Sequence, residues 1–350
     1  MDTMTKVDVL SLSPDELSSF IVSLGEKRYR ADQIYTFLMR GAGDFSEISN
    51  IPKSLIEKLK EHAFLPAVKQ VDKRVSRDGT AKYLYELYDG EVIESVIMRY
   101  RHGNTICISS EAGCPMGCAF CASTLGGLSR KLLPSEMLSQ VIMTAKDIGE
   151  RIDGIVLMGI GEPLDNYNNV IKFLRLVNEE KGLNIGFRHI SLSTCGIVPK
   201  IYDLAKEELP ITLSISLHAS DDATRSSLMP VNKKWGISKL LPACADYFAA
   251  TGRRISFEYT LIRGKNDNEE AATALAHVLK KYCPNMPIHV NLIPVNNVEE
   301  RGFSPSSPDG IKKFVATLEK NHIVATVRRH LGSDIDASCG QLRAKRIKEN

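Results

Sequence analysis

"CISSEAGCPMGCAFCAS", Cys107 to Ser123, holds four of the chain's eight cysteines. Three of them, Cys114, Cys118 and Cys121, make the spacing Cys-x3-Cys-x2-Cys. Three thiolates in one loop can grip a metal centre but do not complete a four-ligand site. A structural zinc needs a fourth cysteine or histidine, usually from a second paired motif, and no such partner follows downstream. A four-iron cluster takes one thiolate per iron, so three cysteines leave one iron open to an outside ligand. Three cysteines that are merely buried, or bound to zinc, are the plainer alternative.

Around this stretch the chain keeps a regular beat. The apolar, β-branched runs TICIS (105–109), GIVLMG (154–159), HISLST (189–194), ITLSIS (211–216), RISFEYTLI (254–262), IHVNLIPV (288–295) and HIVATVRR (322–329) alternate with helix-like segments. That is the pattern of a parallel sheet covered by helices. In PSEMLSQVIMTAKDIG (134–149), Pro134 suits the first helical turn, and Met137, Leu138, Val141, Ile142, Ala145 and Ile148 share one face. Six or seven such units are too few for a closed eight-stranded barrel. The expected fold class is therefore α/β, an incomplete (β/α)6-type barrel whose active face lies at the carboxyl ends of its strands. MGIGEPL (158–164) ends the second strand, Ser193 the third, and Ser216 and His218 the fourth, while Asn296 follows the sixth. Polar groups converging on one rim suit a cofactor site. Taken singly, each reads equally well as a turn cap or a satisfied core group.

Upstream, the pattern is helical from about Ser13 to His62. EKRYRADQIYTFLMRG (26–41) mixes Lys27, Arg28, Arg30 and Arg40 with Tyr29, Tyr35 and Phe37, a composition that can track a phosphate backbone and stack on bases. An amphipathic helix with a solvated face is the other reading. Turns at Asp78-Gly79 and Asp89-Gly90 punctuate a β-rich segment in which KYLYELY (82–88) and EVIESVIM (91–98) pair as a hairpin. The expected domains are a helical RNA-binding region 1–65, a hairpin linker 66–104, the partial barrel 105–330, and a C-terminal loop with basic tail 331–350. Residues 297–310 read as a surface loop.

Composition fits a soluble globular protein, with 43% hydrophobic and 25% charged residues and no apolar run long enough to span a membrane. The net charge is +3, all of it carried by the last eleven residues, GQLRAKRIKEN, so a nucleic-acid partner must rest on local patches. The acidic start, with neither a basic leader nor an apolar signal segment, reads as cytoplasmic. There, clustered cysteines are metal ligands or reactive groups more often than disulfides. Cys339, in the small-residue loop GSDIDASCGQLRAK (332–345), suits a reactive thiol, and Cys107 lies on the strand that opens on the active rim. Two unrelated packing cysteines remain the alternative for this pair. Cys244 and Cys283 fall in helix-like segments and read as packing.

The cysteine triplet, with Phe120 just before its last member and at the head of a parallel βα array, resembles the radical S-adenosylmethionine superfamily. More narrowly, CISSEAGC, CAFCAS, MGIGEPL, LSTCGIVP, SISLHAS, NLIPVN and DIDASCGQL resemble the bacterial RNA adenine C2 methyltransferases that modify large-subunit ribosomal RNA and transfer RNA. The match covers nearly the whole chain. It implies one [4Fe-4S] cluster on Cys114, Cys118 and Cys121. It implies S-adenosylmethionine contacts by Gly161, Glu162, Ser193, Ser216, Leu217, His218 and Asn296, with two cofactor molecules used per turnover. Cys339 matches the cysteine that is itself methylated, Cys107 the one that resolves the protein–RNA adduct through a transient disulfide, and Glu94 a proton acceptor. Read from the residues alone, Glu94 is only a polar strand position. The resemblance further implies a monomer that receives electrons from a reductant such as flavodoxin or ferredoxin, with no membrane partner. A related family methylates adenine C8 with the same machinery, and Pro163 leans toward C2. Radical chemistry on a non-RNA substrate, or a zinc or RNA-binding module without catalysis, are the remaining readings.

Overall fold

The computed structural model describes residues 6–66, 68–295, 302–329, 331–332 and 334–335. At the N-terminus a short parallel pairing of β1 (Val7–Asp8) with β2 (Ala63–Phe64) brackets three helices, α1 (Pro14–Ser23), α2 (Tyr29–Met39) and α3 (Lys53–His62). α1 starts at Ser13, whose Oγ accepts the Glu16 N–H at 3.3 Å while Glu16 Oε2 accepts the Ser13 N–H at 2.7 Å. This reciprocal cap satisfies amides that the first turn would leave unpaired. Leu17, Ile21, Ile34, Leu38, Leu55 and Leu59 bury the inward faces of the three helices. The interleaved aromatics of α2 divide accordingly. Tyr35 lies on the buried face beside Ile34 and Leu38 and Phe37 packs against the core, so only Tyr29 is exposed, with the Arg30 guanidinium 4.7 Å from its ring.

β3 (Lys69–Val75), β4 (Ala81–Glu86), β5 (Val92–Tyr100) and β6 (Gly103–Cys107) run antiparallel in succession. β7 (Glu111–Gly113) and β8 (Leu128–Lys131) form a separate two-stranded ribbon. From β6 onward β9 (Gly154–Leu157), β10 (Ile190–Thr194), β11 (Thr212–Ser216), β12 (Ile255–Leu261), β13 (His289–Pro294) and β14 (Val324–Val327) are all parallel. They join one ten-stranded sheet in the order β14-β13-β12-β11-β10-β9-β6-β5-β4-β3. The connections carry α4 (Pro134–Ile148), α5 (Tyr167–Asn178), α6 (Val198–Lys206), α7 (Asp222–Leu228), α8 (Ile237–Thr251), α9 (Glu269–Tyr282) and α10 (Pro308–Lys320).

All seven apolar runs form strands, and the incomplete barrel is the observed architecture. Every residue of β12 is buried, as expected of a parallel strand covered on both faces. The expected hairpin is β4–β5, with Ala81 opposite Ile97, and it continues the barrel sheet through the β5–β6 pairing. β3, β7 and β8 were not expected. β3 is mostly charged and polar, as suits a sheet edge, and β7 and β8 are only three and four residues long.

The stretch 297–310 differs from the surface loop expected. Residues 297–301 lie outside the described residues, but Pro305 bridges to Ile262, the Ser306 hydroxyl donates to Asp267 Oδ2 at 2.6 Å, and Ser307 caps α10 by accepting the Gly310 N–H at 3.1 Å. Its second half is an ordered helix entry, a signal already present in Ser307-Pro308-Asp309. Cys244 and Cys283 are buried packing residues, as expected. Among the described residues no helix is long and apolar enough to cross a membrane.

Candidate active site

The strand ends converge on one cavity of about 250 Å³. Cys114, Cys118 and Cys121 line it together with Gly161, Glu162, Ser193, Ser216 and His218, eight of the residues singled out from the sequence. Leu217 does not reach it, since its side chain is core and its N–H bonds to Glu258 O at 3.1 Å. Asn296 and Cys339 lie outside the described residues. A wider surface groove between α8, α9 and α10 lies away from the cysteines and shares no residue with this cavity.

The cysteine loop is built on the β7–β8 ribbon, from which the Cys114 N–H donates to Gly127 O at 2.9 Å. Its far side is tied to α7, where the Ala119 N–H donates to Leu228 O at 2.8 Å, and it closes on itself through Cys121 N–H to Cys118 O. Thr124 Oγ1 donates to Cys121 O at 3.0 Å. Among the described residues no three cysteine, histidine or carboxylate side chains stand close enough to share one metal ion. The three thiols line one common cavity, and the chemistry of that donor set fits a four-iron cluster, which takes one thiolate per iron and would keep one iron open. Burial pushes Cys114 up and Cys118 up to about 12, with neighbouring thiolates adding to both shifts. Strongly cationic iron is the kind of centre that would hold such thiols deprotonated.

Opposite the cysteines, the Gly159-Ile160-Gly161-Glu162 turn packs on the backbone leaving β6. A Cβ at Gly159 would stand 2.4 Å from Ile108 O, and one at Gly161, whose φ is +111°, 2.7 Å from Glu111 Cβ and Ser110 Oγ. Close contact with this protein backbone therefore requires glycine at both positions, whatever the cavity holds. Glu162 is buried, with Oε2 accepting the Cys195 N–H at 2.7 Å and Oε1 the Leu164 N–H at 3.0 Å. Burial pushes its carboxyl up, and these bonds pull it back.

His218 takes φ +56° and sets its ring edge-on to Phe120, with centroids 4.9 Å apart. Its Nδ1 accepts the Thr260 N–H at 2.9 Å, which assigns the remaining proton to Nε2. Burial, then the Arg225 charge, pushes His218 down to about 3, so it is neutral at physiological pH.

Three charged residues were missed in the sequence. Glu258, on β12, lines the cavity and accepts Asn291 Nδ2–H at 2.7 Å. An acid inside the apolar run RISFEYTLI was the signal that could have found it. Arg328 follows β14 and also lines the cavity. Arg225, fully buried on α7, donates to the carbonyls of Leu217, Ser216, Cys195 and Trp235 and to Asn232 Oδ1. It thereby ties the ends of β10 and β11 together beneath the cavity.

Cys107 ends β6, partly buried, with its sulfur near the Met158 N–H and the Arg328 guanidinium. Burial pushes its thiol up, against those two groups. Glu94 does not line the cavity: it is buried on β5 and pairs with Lys82 Nζ at 3.0 Å.

Residues 7–65 match the ribosomal RNA large subunit methyltransferase N-terminal domain, and residues 108–276 match the radical SAM superfamily, whose members use S-adenosylmethionine and a [4Fe-4S] cluster. A probable dual-specificity RNA methyltransferase RlmN of Clostridium acetobutylicum is 49% identical, covering 98% of this chain and 99% of its own. That of Alkaliphilus oremlandii is also 49% identical, covering 99% and 100%. The crystal structure of a radical SAM methyltransferase from Sphaerobacter thermophilus superposes with a TM-score of 0.91 at 40% identity, over 97% of this chain and 99% of that one. With likeness of this degree running from end to end, the chain belongs to the RlmN family of radical SAM RNA methyltransferases.

Proposed function

We propose that the protein methylates C2 of adenine in large-subunit ribosomal RNA and in transfer RNA, through a methylated cysteine and a transient disulfide. The observation that carries this is the cavity at the strand ends, lined together by three thiols, the Gly161-Glu162 turn and the ends of β10 and β11. In this reading Cys114, Cys118 and Cys121 hold one [4Fe-4S] cluster. Gly161, Glu162, Ser193, the Ser216-Leu217-His218 segment and Asn296 hold S-adenosylmethionine. When bound, these groups supply a 5′-deoxyadenosyl radical, with the electron delivered by a reductant such as flavodoxin or ferredoxin.

Adenine C2 lies between two ring nitrogens and is electron-poor, so it does not attack a sulfonium methyl as a nucleophile. Cys339 overcomes this by taking the methyl from a first cofactor molecule and presenting it, activated by a second, to C2. Neutral His218 and Phe120 shape the cavity wall without adding a charge. Glu94 takes the proton displaced from C2, and the Cys107 thiolate attacks the Cys339 sulfur to free the methylated RNA. The Cα atoms of the two cysteines must come within about 4.4 to 6.8 Å for that bond. The target adenine must leave its stack to reach the site, and the chain works as a cytoplasmic monomer.

The test is anaerobic turnover with methyl-labelled cofactor on ribosomal and transfer RNA transcripts, followed by mass spectrometry of the nucleosides and of the Cys339 peptide. Label on Cys339 and then on adenine C2 is expected. Label on C8 would assign the protein to the other regiochemistry, and product formed equally well by Cys339→Ala would overturn the cysteine route.

A further inference from the structure

The chain that follows α7 closes the outer side of the cysteine loop. Met229 lines the cavity beside the three thiols, and the Leu228 carbonyl accepts the Ala119 N–H at 2.8 Å. Pro230 then lies against Gly117, where a Cβ would stand 3.5 Å from Pro230 Cγ. Pro115, Gly117 and Pro230 are all exposed. Pro115 directly follows Cys114 and Gly117 directly precedes Cys118, so this surface adjoins two of the three loop thiols. It is neutral, because the chain from Cys114 to Leu128 carries no charged side chain.

Positive charge stands at its edge. Lys233 and Lys234 follow Pro230 in the same turn, and both are exposed. Among the described residues neither lysine is paired with a carboxylate. The acids nearest in sequence serve the backbone instead, Asp221 Oδ1 accepting the Thr224 N–H at 2.8 Å and Asp222 Oδ1 the Ile237 N–H at 2.8 Å. The turn is pinned from below by buried Asn232, whose Oδ1 accepts from Arg225 at 2.8 Å and whose Nδ2 donates to Asp222 Oδ1 at 3.0 Å and to Ser226 Oγ at 2.8 Å. Both lysines are therefore presented on a fixed frame.

We propose that the exposed surface of Pro115, Gly117 and Pro230, edged by Lys233 and Lys234, is where the reductant docks, and that this reductant is an acidic one-electron carrier protein. The proposal deepens the reading given above, and rests on it for the cluster that Cys114, Cys118 and Cys121 hold. A carrier seated here meets backbone covalently joined to two of those cysteines. One electron leaves the reduced carrier and enters the cluster, so the carrier is oxidised by one electron as the cluster is reduced by one, with no atom transferred. A neutral centre with charge at its rim suits a weak, brief encounter, in which the lysines steer the partner in and a small contact area lets it leave. An RNA strand would use the same two lysines, but the neutral turn beside them offers it no further charge. Trp235 is no free stacking platform either, since its ring packs against the core and Lys234 Nζ lies 4.6 Å from its centre.

The experiment measures docking apart from turnover. The full-length iron-loaded protein is titrated anaerobically, at low ionic strength, with an acidic flavodoxin and separately with an acidic ferredoxin. The double variant Lys233→Glu, Lys234→Glu should bind one of these carriers about tenfold more weakly than the parent, and that carrier is the partner. Lys233→Arg, Lys234→Arg should match the parent, whose affinity should fall with added salt. Formation of 5′-deoxyadenosine should slow in the glutamate variant when that carrier is the reductant and stay unchanged when dithionite is. Equal affinity of parent and glutamate variant for both carriers overturns the proposal. So does a loss confined to transfer RNA binding, which would assign the lysines to the substrate. If the glutamate variant loses iron, Lys233→Gln, Lys234→Gln replaces it and the same outcomes decide. Were dithionite to drive no 5′-deoxyadenosine formation in the parent, the cluster reading would fail, while the carrier affinities would still decide the docking surface.

Discussion

Asp78 Oδ2 accepts the Gly332 N–H at 2.9 Å across 254 residues of chain. Asp78 lies in the turn between β3 and β4, at one end of the ten-stranded sheet, and Gly332 lies five residues past β14, at the other. Asp334 adds bonds from the Ser76 hydroxyl and the Arg77 N–H. The open barrel therefore has its two edges bridged by the segment that leads, five residues later, to Cys339.

That bridge predicts a measurable loss when it is cut. Asp78→Ala should speed hydrogen exchange at Gly332 and protease cleavage near residues 331–335, with little change in melting temperature because the Asp78 side chain itself is exposed. The bonds from Gly332 and Thr80 hold the Asp78 carboxyl down to about 2. A depressed carboxylate stabilises fully above its unfolded value near 3.8 and loses that contribution as pH falls toward 2. Protection of the segment should accordingly persist at neutral pH and fade between about pH 4 and 2. Unchanged exchange in Asp78→Ala would show that the bridge does not hold the segment.

Gly161 allows a separation of backbone strain from collision. Gly161→Ala meets a strained φ of +111° and a contact of 2.7 Å with Glu111 Cβ, whereas Gly25→Ala meets φ +78° with nothing within 4 Å. The first should lose about 1 to 3 kcal/mol of stability and at least tenfold in S-adenosylmethionine affinity by equilibrium dialysis. The second should lose about 1 kcal/mol, with binding unchanged. Equal binding by both variants would remove the Gly161 turn from the cofactor site.

Arg225 is the buried tie beneath the cavity, and its fork serves four carbonyls and one amide oxygen. Arg225→Met leaves those acceptors without their donor, an expected loss of about 3 to 5 kcal/mol by urea unfolding. Arg225→Lys keeps the charge but not the fork, and should recover less than half of that loss. Because α7 also holds the cysteine loop through Leu228 O, iron retained after reconstitution should fall in step with stability. Full iron retention in a destabilised Arg225→Met would uncouple the two loops.

How far the sequence reaches follows from which residues carry local signals. The seven parallel strands are legible as short apolar, β-branched runs spaced by helix-like segments, although only β12 is buried along its whole length and β14 is mostly exposed, and the cysteine triplet is legible because its spacing is short and contiguous. Ser193, Ser216 and His218 are legible only as strand ends. Lys82 and Arg225 are not legible at all, since a basic residue in a strand or short helix ordinarily points to solvent, and only tertiary packing turns these two inward. Tyr35 fails for the opposite reason: interleaving with arginines suggested a stacking surface, while the helical period places its ring in the core. The glycines of the Gly159–Gly161 turn are required by the backbone behind them, a contact that sequence spacing does not reveal.

Glu111, three residues before Cys114, shows the same limit and gives the sharpest pH test. It is wholly buried, Oε2 accepts the Glu162 N–H at 2.8 Å, and among the described residues Oε1 has no hydrogen-bond partner. Burial pushes its carboxyl up to about 8, the Asp165 and Glu162 charges adding to the shift and the Glu162 N–H opposing it. Below the unfolded value of 4.5 both states hold the proton and the group contributes no pH dependence. Between 4.5 and about 8 the folded chain keeps a proton that the unfolded chain has lost, so stability falls as pH rises. Glu111→Gln removes that slope, because the amide can still accept from Glu162 and turn its NH2 toward the two carboxylates. The variant should match the parent in urea unfolding near pH 4.5 and exceed it by about 1 to 3 kcal/mol at pH 7.5. Parallel curves across that range would mean that Glu111 is ionised in the folded protein, and the cavity would then carry one more negative charge behind Gly161 than its geometry accommodates.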